Sequence, residues 1–303
     1  MDSPAVDGSA WTVARLLNWT RDFLQRQNVE SSRLCAEILL AHALGCQRIE
    51  LYTRYESVPD ETRRTRFREL VKEAGGGAPI AYLVGTKDFF SLSFIVTRDV
   101  LIPRPETELL VERTIDLSRR QPGRVRRVLD LCCGSGCIAV ALARHLPDAR
   151  LHASDISSGA LNVARQNAAR HGLSERIDIR EGDLFGPWRD EPAFDVIVTN
   201  PPYIAAGEMP SLPRNVRDFE PHLALAGGDD GLAIVRRIAV DAPPCLAEGG
   251  WLMTEVAFNQ AQAVSRILNG SASESFGARG SWREVTSYRD DLGHERVVAA
   301  RRA

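Results

Sequence analysis

Along the first 75 or so residues, apolar positions recur at intervals of three and four. In WTVARLLNWTRDFLQRQ, the positions on this face are Val13, Leu16, Leu17, Thr20, Phe23 and Leu24. This period is that of an amphipathic helix. Ser31 or Ser32 can cap a second helix that ends at Gly45. Asp60 can cap a third helix that ends at the glycine run 75–77, so the pattern predicts a small N-terminal helical bundle.

From residue 127 onward, short apolar stretches alternate with helical ones. The candidate strands are RRVLDL, RLHASD, IDIREGD, FDVIVTN and GGWLMTEV. This alternation predicts an α/β fold with a doubly wound, mostly parallel sheet. The tail, WREVTSYRDDLGHERVVAARR, predicts two more strands joined by a turn at residues 291–293.

Between the bundle and the sheet, KDFFSLSFIV is aromatic and β-branched, which predicts two short strands or a hairpin. Pro105 fits the first turn of the next helix, and Glu106 and Glu108 suit the positive end of its dipole. We therefore predict a helical domain at residues 1–80, a β-hairpin linker at 81–105 and an α/β domain at 106–303.

Composition and charge narrow the functional classes. The chain has 303 residues, 44% of them hydrophobic, and a net charge of 38 − 40 = −2. That charge argues against a protein built to grip long nucleic acid, so we expect no direct DNA partner. The third predicted helix carries the basic residues Arg63, Arg64, Arg66, Arg68 and Lys72. Such a run is usually a solvated helix face, and the alternative is contact with an acidic or RNA-bound partner.

The cysteines and the length of the apolar runs indicate in which cellular compartment the protein is expected. The six cysteines form no CxxC pair and no disulfide framework, and Cys133 and Cys137 have no second ligand pair, so we predict no metal site. No apolar run approaches the roughly 18–20 residues that span a bilayer, and the N-terminus lacks the pattern of a signal peptide. We expect reduced thiols, a cytoplasmic location, no membrane partner and a monomer.

A candidate cofactor site follows the first predicted strand of the sheet. The strand VLDL leads through CCGSG into the helix CIAVALARHL, and Gly134 and Gly136 allow a tight turn close to a ligand. Asp155 ends the next strand, where a carboxylate can accept hydrogen bonds from ribose hydroxyls. Asp183 ends the strand after that and could accept from an adenine amino group, with Leu184 beside the ring.

Residues 134–139 also match the dinucleotide fingerprint G-x-G-x-x-A, which by itself is a weak signal. A dehydrogenase needs groups for hydride transfer, and the sequence offers no candidate set. It offers Asn200-Pro201-Pro202-Tyr203 instead, directly after the fourth predicted strand. The carboxyl edge of such a sheet is where its ligands bind.

These segments resemble a known family. DLCCGSG, Asp155, GDLF and NPPY are similar to the class I S-adenosylmethionine-dependent methyltransferases that act on amino groups. Residues 79–112, 216–232 and 288–298 resemble the release factor glutamine methyltransferases, the PrmC/HemK family. LIPRPETE is the most telling segment, and the helical N-terminus also fits, so the resemblance covers nearly the whole chain.

The resemblance implies a Rossmann-like, seven-stranded sheet with a helical substrate-binding domain in front of it. It implies S-adenosyl-L-methionine as the methyl donor, with S-adenosyl-L-homocysteine as product. The implied substrate is the glutamine of the Gly-Gly-Gln motif in bacterial class I peptide chain release factors, which becomes N5-methylglutamine. The implied cofactor-binding residues are Cys132, Cys133, Gly134, Ser135, Gly136, Asp155, Asp183, Leu184 and Asn200. One departure is Cys132, which stands where the family usually has glycine.

The residues Asn200, Pro201, Pro202 and Tyr203 are the predicted catalytic and substrate-binding group. The nitrogen of an amide is a poor nucleophile because its lone pair is delocalised into the carbonyl. The side-chain oxygen of Asn200 and the backbone carbonyl of Pro201 could each accept one hydrogen of the NH₂ group. The two prolines would stiffen that backbone, and the Tyr203 ring could pack on the planar amide.

NPPY alone indicates only an amino nitrogen, so alternatives stay open. One is the glutamine methylase of ribosomal protein L3, and another is an adenine-N6 nucleic-acid methyltransferase. A third is a non-enzymatic module that binds the cofactor and grips release factors. The intact NPPY motif argues against the third, since binding alone does not need those acceptors.

Overall fold

The computed structural model describes residues 10–121, 123–270 and 281–303. The chain divides into two compact units. The first contains the residues up to 85 together with residues 214–219, and the second contains residues 86–213 and 220–303. The boundary near residue 85 means that the hairpin belongs to the second unit.

The first unit is a helical bundle, which confirms the N-terminal prediction. Its helices are α1 (Val13–Arg26), α2 (Ser32–Leu44), α3 (Glu50–Thr53), α4 (Glu61–Gly75) and α5 (Ile80–Val84). The apolar face of α1 packs into one core with α2 and α4, and Leu24, Leu39 and Leu51 are fully buried there. Burial of this face, rather than helix propensity, holds such short helices in place.

The helix ends of this unit test the predicted caps. The Asp60 side chain accepts from the backbone N–H of Arg63 at 2.9 Å, as predicted. The Ser31/Ser32 cap is wrong: Ser31 has φ 49°, and its side chain makes no capping bond. Ser32 instead donates its hydroxyl to the Val29 carbonyl at 2.6 Å. A left-handed residue turns its side chain away from the free N–H groups of the helix that follows.

The basic residues of α4 belong partly to ion pairs on the helix itself. Arg63 pairs with Asp60, and Arg64 pairs with Glu61 one turn earlier. Pairs at this spacing are typical of a solvated helix face and contribute little to stability. This geometry favours the simpler of the two interpretations of the basic run.

The second unit contains the α/β fold. Its strands are β1 (Thr86–Phe89), β2 (Leu92–Ile95), β3 (Arg127–Leu131), β4 (Arg150–Asp155), β5 (Ile177–Glu181), β6 (Phe194–Thr199), β7 (Leu246–Glu255), β8 (Trp282–Arg289) and β9 (Glu295–Arg302). The helices that follow in the chain are α6 (Glu108–Arg120), α7 (Cys137–His145), α8 (Ser158–Arg170), α9 (Arg214–Arg217, in the first unit), α10 (Ala233–Cys245) and α11 (Ala261–Leu268).

The sheet has seven strands in the order β5-β4-β3-β6-β7-β9-β8. Strands β3 to β7 run parallel, and β9 pairs antiparallel with β7 and β8. Successive residues of a strand face opposite sides, so Val128 packs with α6, α7 and α8, while Leu129 packs with α10 and α11. The sheet is therefore doubly wound and mostly parallel, as the sequence predicts.

The connection ahead of the sheet is built as predicted, with one difference. Strands β1 and β2 form an antiparallel hairpin, and Pro105 opens a 3₁₀ turn that leads into α6. Glu108, however, does not simply face the dipole of α6. Its Oε1 accepts from the backbone N–H of Phe90 at 2.8 Å and so ties the helix to the hairpin. Among the described residues, no helix is both long and apolar enough to cross a membrane.

Candidate active site

A cavity of about 280 Å³ opens at the carboxyl ends of β3, β4 and β6. The predicted site residues that line it are Cys132, Cys133, Gly134, Ser135, Asp155, Asp183, Leu184, Asn200 and Pro202. Gly136, Pro201 and Tyr203 are not among its lining residues. A Cβ on Gly136 would lie 3.1 Å from that of Ala164, so this glycine allows α7 and α8 to approach closely.

The loop after β3 holds the acid at the end of β4. The Gly134 N–H donates to Asp155 Oδ2 at 2.9 Å, and the Ser157 N–H donates to Oδ1 at 2.9 Å. Burial raises the pKa of Asp155, and these backbone donors partly oppose the rise. A carboxylate has about four lone-pair positions, so at least one remains for a hydroxyl group in the cavity. Asp155 is thus oriented before any ligand binds.

Two residues other than glycine have a left-handed backbone conformation at the cavity wall. Cys132, one residue after β3, has φ 57°, and Leu184, three residues after β5, has φ 47°. For side chains of this kind the region costs about 1–2 kcal/mol, and such strain concentrates at functional sites. Burial raises the pKa of Cys132 to about 12, so its thiol stays neutral and unreactive.

The strain at Cys132 predicts an asymmetry between two substitutions. We expect Cys132→Gly to keep the free energy of unfolding within about 1 kcal/mol of the wild type, because relief of strain offsets the added freedom of the unfolded chain. Cys132→Val should lower it by about 1–3 kcal/mol, because a β-branched residue fits this region worse. Urea unfolding measures both, and equal stability of the two variants would contradict the assignment.

Asp183 lies at the cavity but already has a partner. Its Oδ2 is 2.6 Å from Nη2 of Arg237 on α10, and both side chains are about half exposed. Arg237 also lines the cavity, which the sequence pattern did not reveal. An adenine amino group would therefore have to share this carboxylate with a guanidinium.

Asn200 follows β6 directly, and a hydrogen bond fixes the orientation of its side-chain amide. Its Nδ2 donates to Oγ1 of Thr107, in the 3₁₀ turn before α6, at 3.2 Å. Thr107 is 2% exposed, so this is a sheltered partner. With the amino end of the amide held in this way, the carbonyl end of Asn200 is the acceptor left for a ligand in the cavity.

The backbone after Asn200 is fixed by a second segment. Ile204 and Ala226 form an isolated parallel bridge: the Ile204 N–H donates to the Leu225 carbonyl at 2.9 Å, and the Gly227 N–H donates to the Ile204 carbonyl at 2.8 Å. The Gln260 side chain also donates to the Tyr203 carbonyl at 2.9 Å. The NPPY segment therefore has little freedom to move.

Two glycines let this segment approach the NPPY backbone. A Cβ on Gly227 would lie 2.8 Å from the Pro202 carbonyl oxygen. A Cβ on Gly231, whose φ is +76°, would lie 2.4 Å from the Tyr203 carbonyl oxygen. Both distances are shorter than real contacts of that kind, so these positions require glycine.

Four further residues near the site were not predicted as site residues from the sequence: Arg104, Thr107, Glu220 and Glu255. Glu220 Oε2 accepts from the Ile102 N–H at 3.2 Å, and its carboxylate pairs with Arg104, so it ties two walls of the cavity together. Glu255 lies behind Tyr203, with the two side-chain oxygens 3.5 Å apart. A signal did exist for Glu255: it is a charged residue at the end of an otherwise apolar strand, GGWLMTEV.

Comparisons with known proteins identify the family of the chain. A model of the PrmC N-terminal domain matches residues 15–85, and a model of the methyltransferase small domain matches residues 105–213. A release factor glutamine methyltransferase of Rhodopirellula baltica is 45% identical over 295 residues, which is 97% of each chain. One from Geobacter sulfurreducens is 40% identical over 291 residues, covering 96% of this chain and 97% of its own.

Among solved structures, a methyltransferase from Pyrococcus furiosus aligns with a TM-score of 0.50. The two are 17% identical, and the alignment covers 78% of this chain and 98% of that one. At that identity the likeness concerns the fold alone. The identity and coverage of the curated relatives go further: the chain belongs to the release factor glutamine methyltransferase family and, like its members, it is a methyltransferase.

Proposed function

We propose that this chain methylates the N5 nitrogen of the glutamine in the Gly-Gly-Gln motif of bacterial class I peptide chain release factors. The proposed donor is S-adenosyl-L-methionine, and the products are N5-methylglutamine, S-adenosyl-L-homocysteine and a proton. The family membership and the geometry of Asn200 support this function. Since translation ends in the cytoplasm, the proposed reaction takes place there.

The residues of the cavity fit this cofactor. Asp155 keeps at least one lone-pair position that suits a ribose hydroxyl, and Ile156 and Leu184 offer apolar surface for a base. We assign the loop Cys132, Cys133, Gly134, Ser135 and Gly136 to its amino-acid end and Asp183 to its adenine. When bound, the cofactor supplies an electrophilic methyl group on a positively charged sulfur.

The amide of Asn200 is the observation that carries the proposal. Its amino end is held by Thr107, and its oxygen is left as an acceptor at the cavity. A substrate amide presents two N–H donors, so it needs two acceptors. The Asn200 oxygen is one, and we propose the Pro201 carbonyl as the other. Pro201 and Pro202 restrict the backbone and keep that carbonyl in a fixed direction.

Orientation is the main contribution we assign to the protein. The lone pair of an amide nitrogen is delocalised, so the site must hold the nitrogen where its lone pair meets the methyl group. Proximity and alignment of this kind can supply roughly 7–11 kcal/mol. Tyr203 is the proposed packing surface for the planar amide, and its face tolerates a nearby cation. Burial raises the pKa of the Tyr203 hydroxyl, so it stays protonated.

The helical N-terminal unit is the proposed grip for the release factor, with residues 1–80 as the substrate-binding domain. Residues 81–105 are then the connection to a catalytic domain at 106–303. We propose that the enzyme acts as a monomer without a direct DNA partner. Its net charge of −2 agrees with a protein rather than a nucleic-acid substrate.

A labelled cofactor tests the function. The full chain is incubated with S-adenosyl-L-methionine labelled on the methyl group and, separately, with a class I release factor, ribosomal protein L3 and DNA. We expect label in the release factor only. A release factor whose Gly-Gly-Gln glutamine is replaced is the matched control, and it should take up no label.

Other outcomes select the alternatives. Label mainly in ribosomal protein L3 would indicate the ribosomal glutamine methylase, and label only in DNA would indicate an adenine-N6 enzyme. Measurable cofactor affinity without transfer to any of the three would favour the non-enzymatic module. Each of these results overturns the proposed substrate.

A further inference from the structure

Four large apolar side chains of the second unit are more than half exposed, within the part of the chain that the structure describes: Ile156, Leu223, Phe258 and Leu292. Ile156 and Leu223 line the cavity. Phe258, at 62% exposure, and Leu292, at 82%, do not line it, and the proposed reaction does not use them. Scattered exposed apolar residues need no explanation, whereas a cluster of them marks an interaction site.

All four side chains lie at the carboxyl edge of the sheet. Ile156 directly follows β4, and Leu223 lines the cavity that opens at this edge. Phe258 comes three residues after the end of β7. Leu292 lies in the turn between β8 and β9, and β9 begins beside the end of β7. The exposed apolar surface of this unit is therefore concentrated at the edge that carries Asn200.

The loop that carries Phe258 is tied to the NPPY segment. Gln260 Nε2 donates to the Tyr203 carbonyl oxygen at 2.9 Å, and Gln260 Oε1 accepts from the Ala257 N–H at 3.2 Å. On its other side, the ring of Phe258 packs against the ring of His294, with centroids 5.9 Å apart. Phe258 thus connects the NPPY segment with the turn between β8 and β9.

Hydrogen bonds centred on Asp290 hold the turn that carries Leu292. Asp290 Oδ1 accepts from the N–H groups of Leu292 at 3.0 Å and His294 at 2.9 Å. Its Oδ2 accepts from Nε of Arg296 at 3.0 Å, and its backbone carbonyl accepts from the Gly293 N–H at 2.9 Å. A side chain presented on a turn fixed in this way loses little freedom when it binds a partner.

We propose that Phe258 and Leu292 form a docking surface, the edge patch, for the polypeptide segment beside the target glutamine of the substrate protein. The inference rests on the proposed function, in which Asn200 holds the target amide and the target side chain is part of a polypeptide. The polypeptide on either side of that glutamine must leave the cavity across the carboxyl edge. The edge patch lies at this edge, beside the NPPY segment.

Strand spacing gives the distance that the substrate segment has to cover. In the sheet, β7 is the neighbour of β6, and β9 is the neighbour of β7. Adjacent strands lie about 4.8 Å apart, so the start of β9 is roughly 10 Å across the sheet from the end of β6. An extended chain covers about 3.3 Å per residue, so about three residues bridge this distance. The edge patch therefore suits a side chain within about six residues of the target glutamine.

The charges around the edge patch are paired with one another. Arg289 pairs with Glu295 at 3.4 Å, and Arg296 pairs with Asp290 at 3.0 Å. Arginines that are already paired offer little to the phosphates of a nucleic acid. An apolar side chain of a protein substrate fits this surface better, with the charged pairs as a polar rim.

Serine substitutions test the docking. Phe258→Ser should raise the KM for the release factor about tenfold, because truncation of an apolar anchor typically weakens an interface by such a factor. Leu292→Ser should raise this KM about threefold to tenfold. In both variants kcat, the affinity for the cofactor and the urea midpoint should stay close to wild type, because the two side chains are exposed and lie outside the cavity. An unchanged KM in both variants would overturn the inference.

Two controls separate docking from other causes. Phe258→Tyr keeps the aromatic ring, so its KM should stay within about twofold of the wild type. A KM as high as that of Phe258→Ser would contradict an apolar contact. Sedimentation tests a second copy of this chain as the occupant. A wild-type dimer that Phe258→Ser dissociates would make the edge patch a self-interface and overturn the inference.

A photo-crosslink locates the occupant directly. The variant Phe258→p-benzoylphenylalanine, with S-adenosyl-L-homocysteine bound, is irradiated together with the release factor. We expect a crosslink within about six residues of the Gly-Gly-Gln glutamine. The matched control carries the same group in place of Glu175, an exposed residue just before β5 and so at the opposite edge of the sheet, and should give no crosslink there. Crosslinks of the Phe258 variant elsewhere in the release factor, or none, would count against the docking surface.

Failure of this inference and failure of the proposed function give different results. If the wild-type enzyme leaves the release factor unlabelled, the proposed function is wrong, and the edge patch is wrong with it. If the wild-type enzyme labels the release factor while KM and crosslinking do not depend on position 258, only the edge patch is wrong.

Discussion

Replacing Asn200 by alanine is expected to lower kcat roughly 100- to 1,000-fold, the usual loss when one preorganised hydrogen-bonding group is removed from an active site. The side chain supplies the only proposed side-chain acceptor for the substrate amide, and its oxygen is held in place through Thr107. Asn200 is one of many residues that line the cavity, so the affinity for the cofactor should change little. A steady-state assay of methyl transfer to the release factor measures kcat, and calorimetry measures the affinity for the cofactor.

The matched control for this variant is Asn269→Ala. Asn269 is an exposed asparagine at the end of α11 and does not line the cavity, so its loss should leave turnover unchanged. Near-normal methylation by Asn200→Ala would show that the site orients its substrate without this side chain. The proposed role of Asn200 would then be wrong, whatever the substrate.

The second large effect is expected from Gly231→Ala. The new methyl group would lie 2.4 Å from the Tyr203 carbonyl oxygen and 2.6 Å from Nε2 of Gln260, at a φ of +76°. The NPPY backbone must shift to relieve this overlap, and a misplacement of about 1 Å can cost about 100-fold in rate. We expect a loss of that size in kcat and a decrease of about 1–3 kcal/mol in the free energy of unfolding.

A second glycine separates the two causes of this effect. Gly172 has a similar φ of +69°, but a Cβ there meets nothing within 4 Å. Gly172→Ala therefore carries the backbone strain without the overlap, and it should lose some stability while keeping its turnover. If both variants lost the same activity, close contact with the NPPY backbone could not be the reason.

Much of this architecture can be predicted from the spacing of apolar residues and from the polar residues that follow the strands. The stretch FDVIVTN contains three consecutive apolar residues, 196–198, which fits a strand buried on both faces, and it forms the central strand β6. The position of Asn200 follows directly, since a polar residue after such a strand lies at the carboxyl edge of the sheet. Local signals of this kind fix elements and strand ends.

Contacts between distant segments could not be predicted in the same way. Thr107 and Asn200 are 93 positions apart, and Ile102 and Glu220 are 118 apart. A single sequence gives the chemistry of each residue but not its partner across such a distance. For the same reason, Ser31 was a reasonable cap by residue type, while its left-handed backbone depends on how the chain enters α2.

The backbone conformation of Cys132 gives a physical reason for the glycine that the family resemblance implies at this position. The resemblance implies a glycine at this position, and a φ of 57° is a backbone conformation that favours glycine. The cysteine keeps the same backbone conformation and accepts the strain. A family motif can thus survive the loss of a glycine when the side chain is small and the surrounding loop is held, here by Asp155.

The division of the chain into two units has a consequence for dissecting and recombining it. The helical unit contains residues 214–219 as well as the N-terminal segment, so it is discontinuous in sequence. Cutting the gene after codon 85 would leave six residues of that unit attached to the wrong fragment. A chimera that exchanges the helical unit between relatives must therefore exchange two segments. A chimera that exchanges only the N-terminal segment would combine residues from two parent proteins within one packed unit.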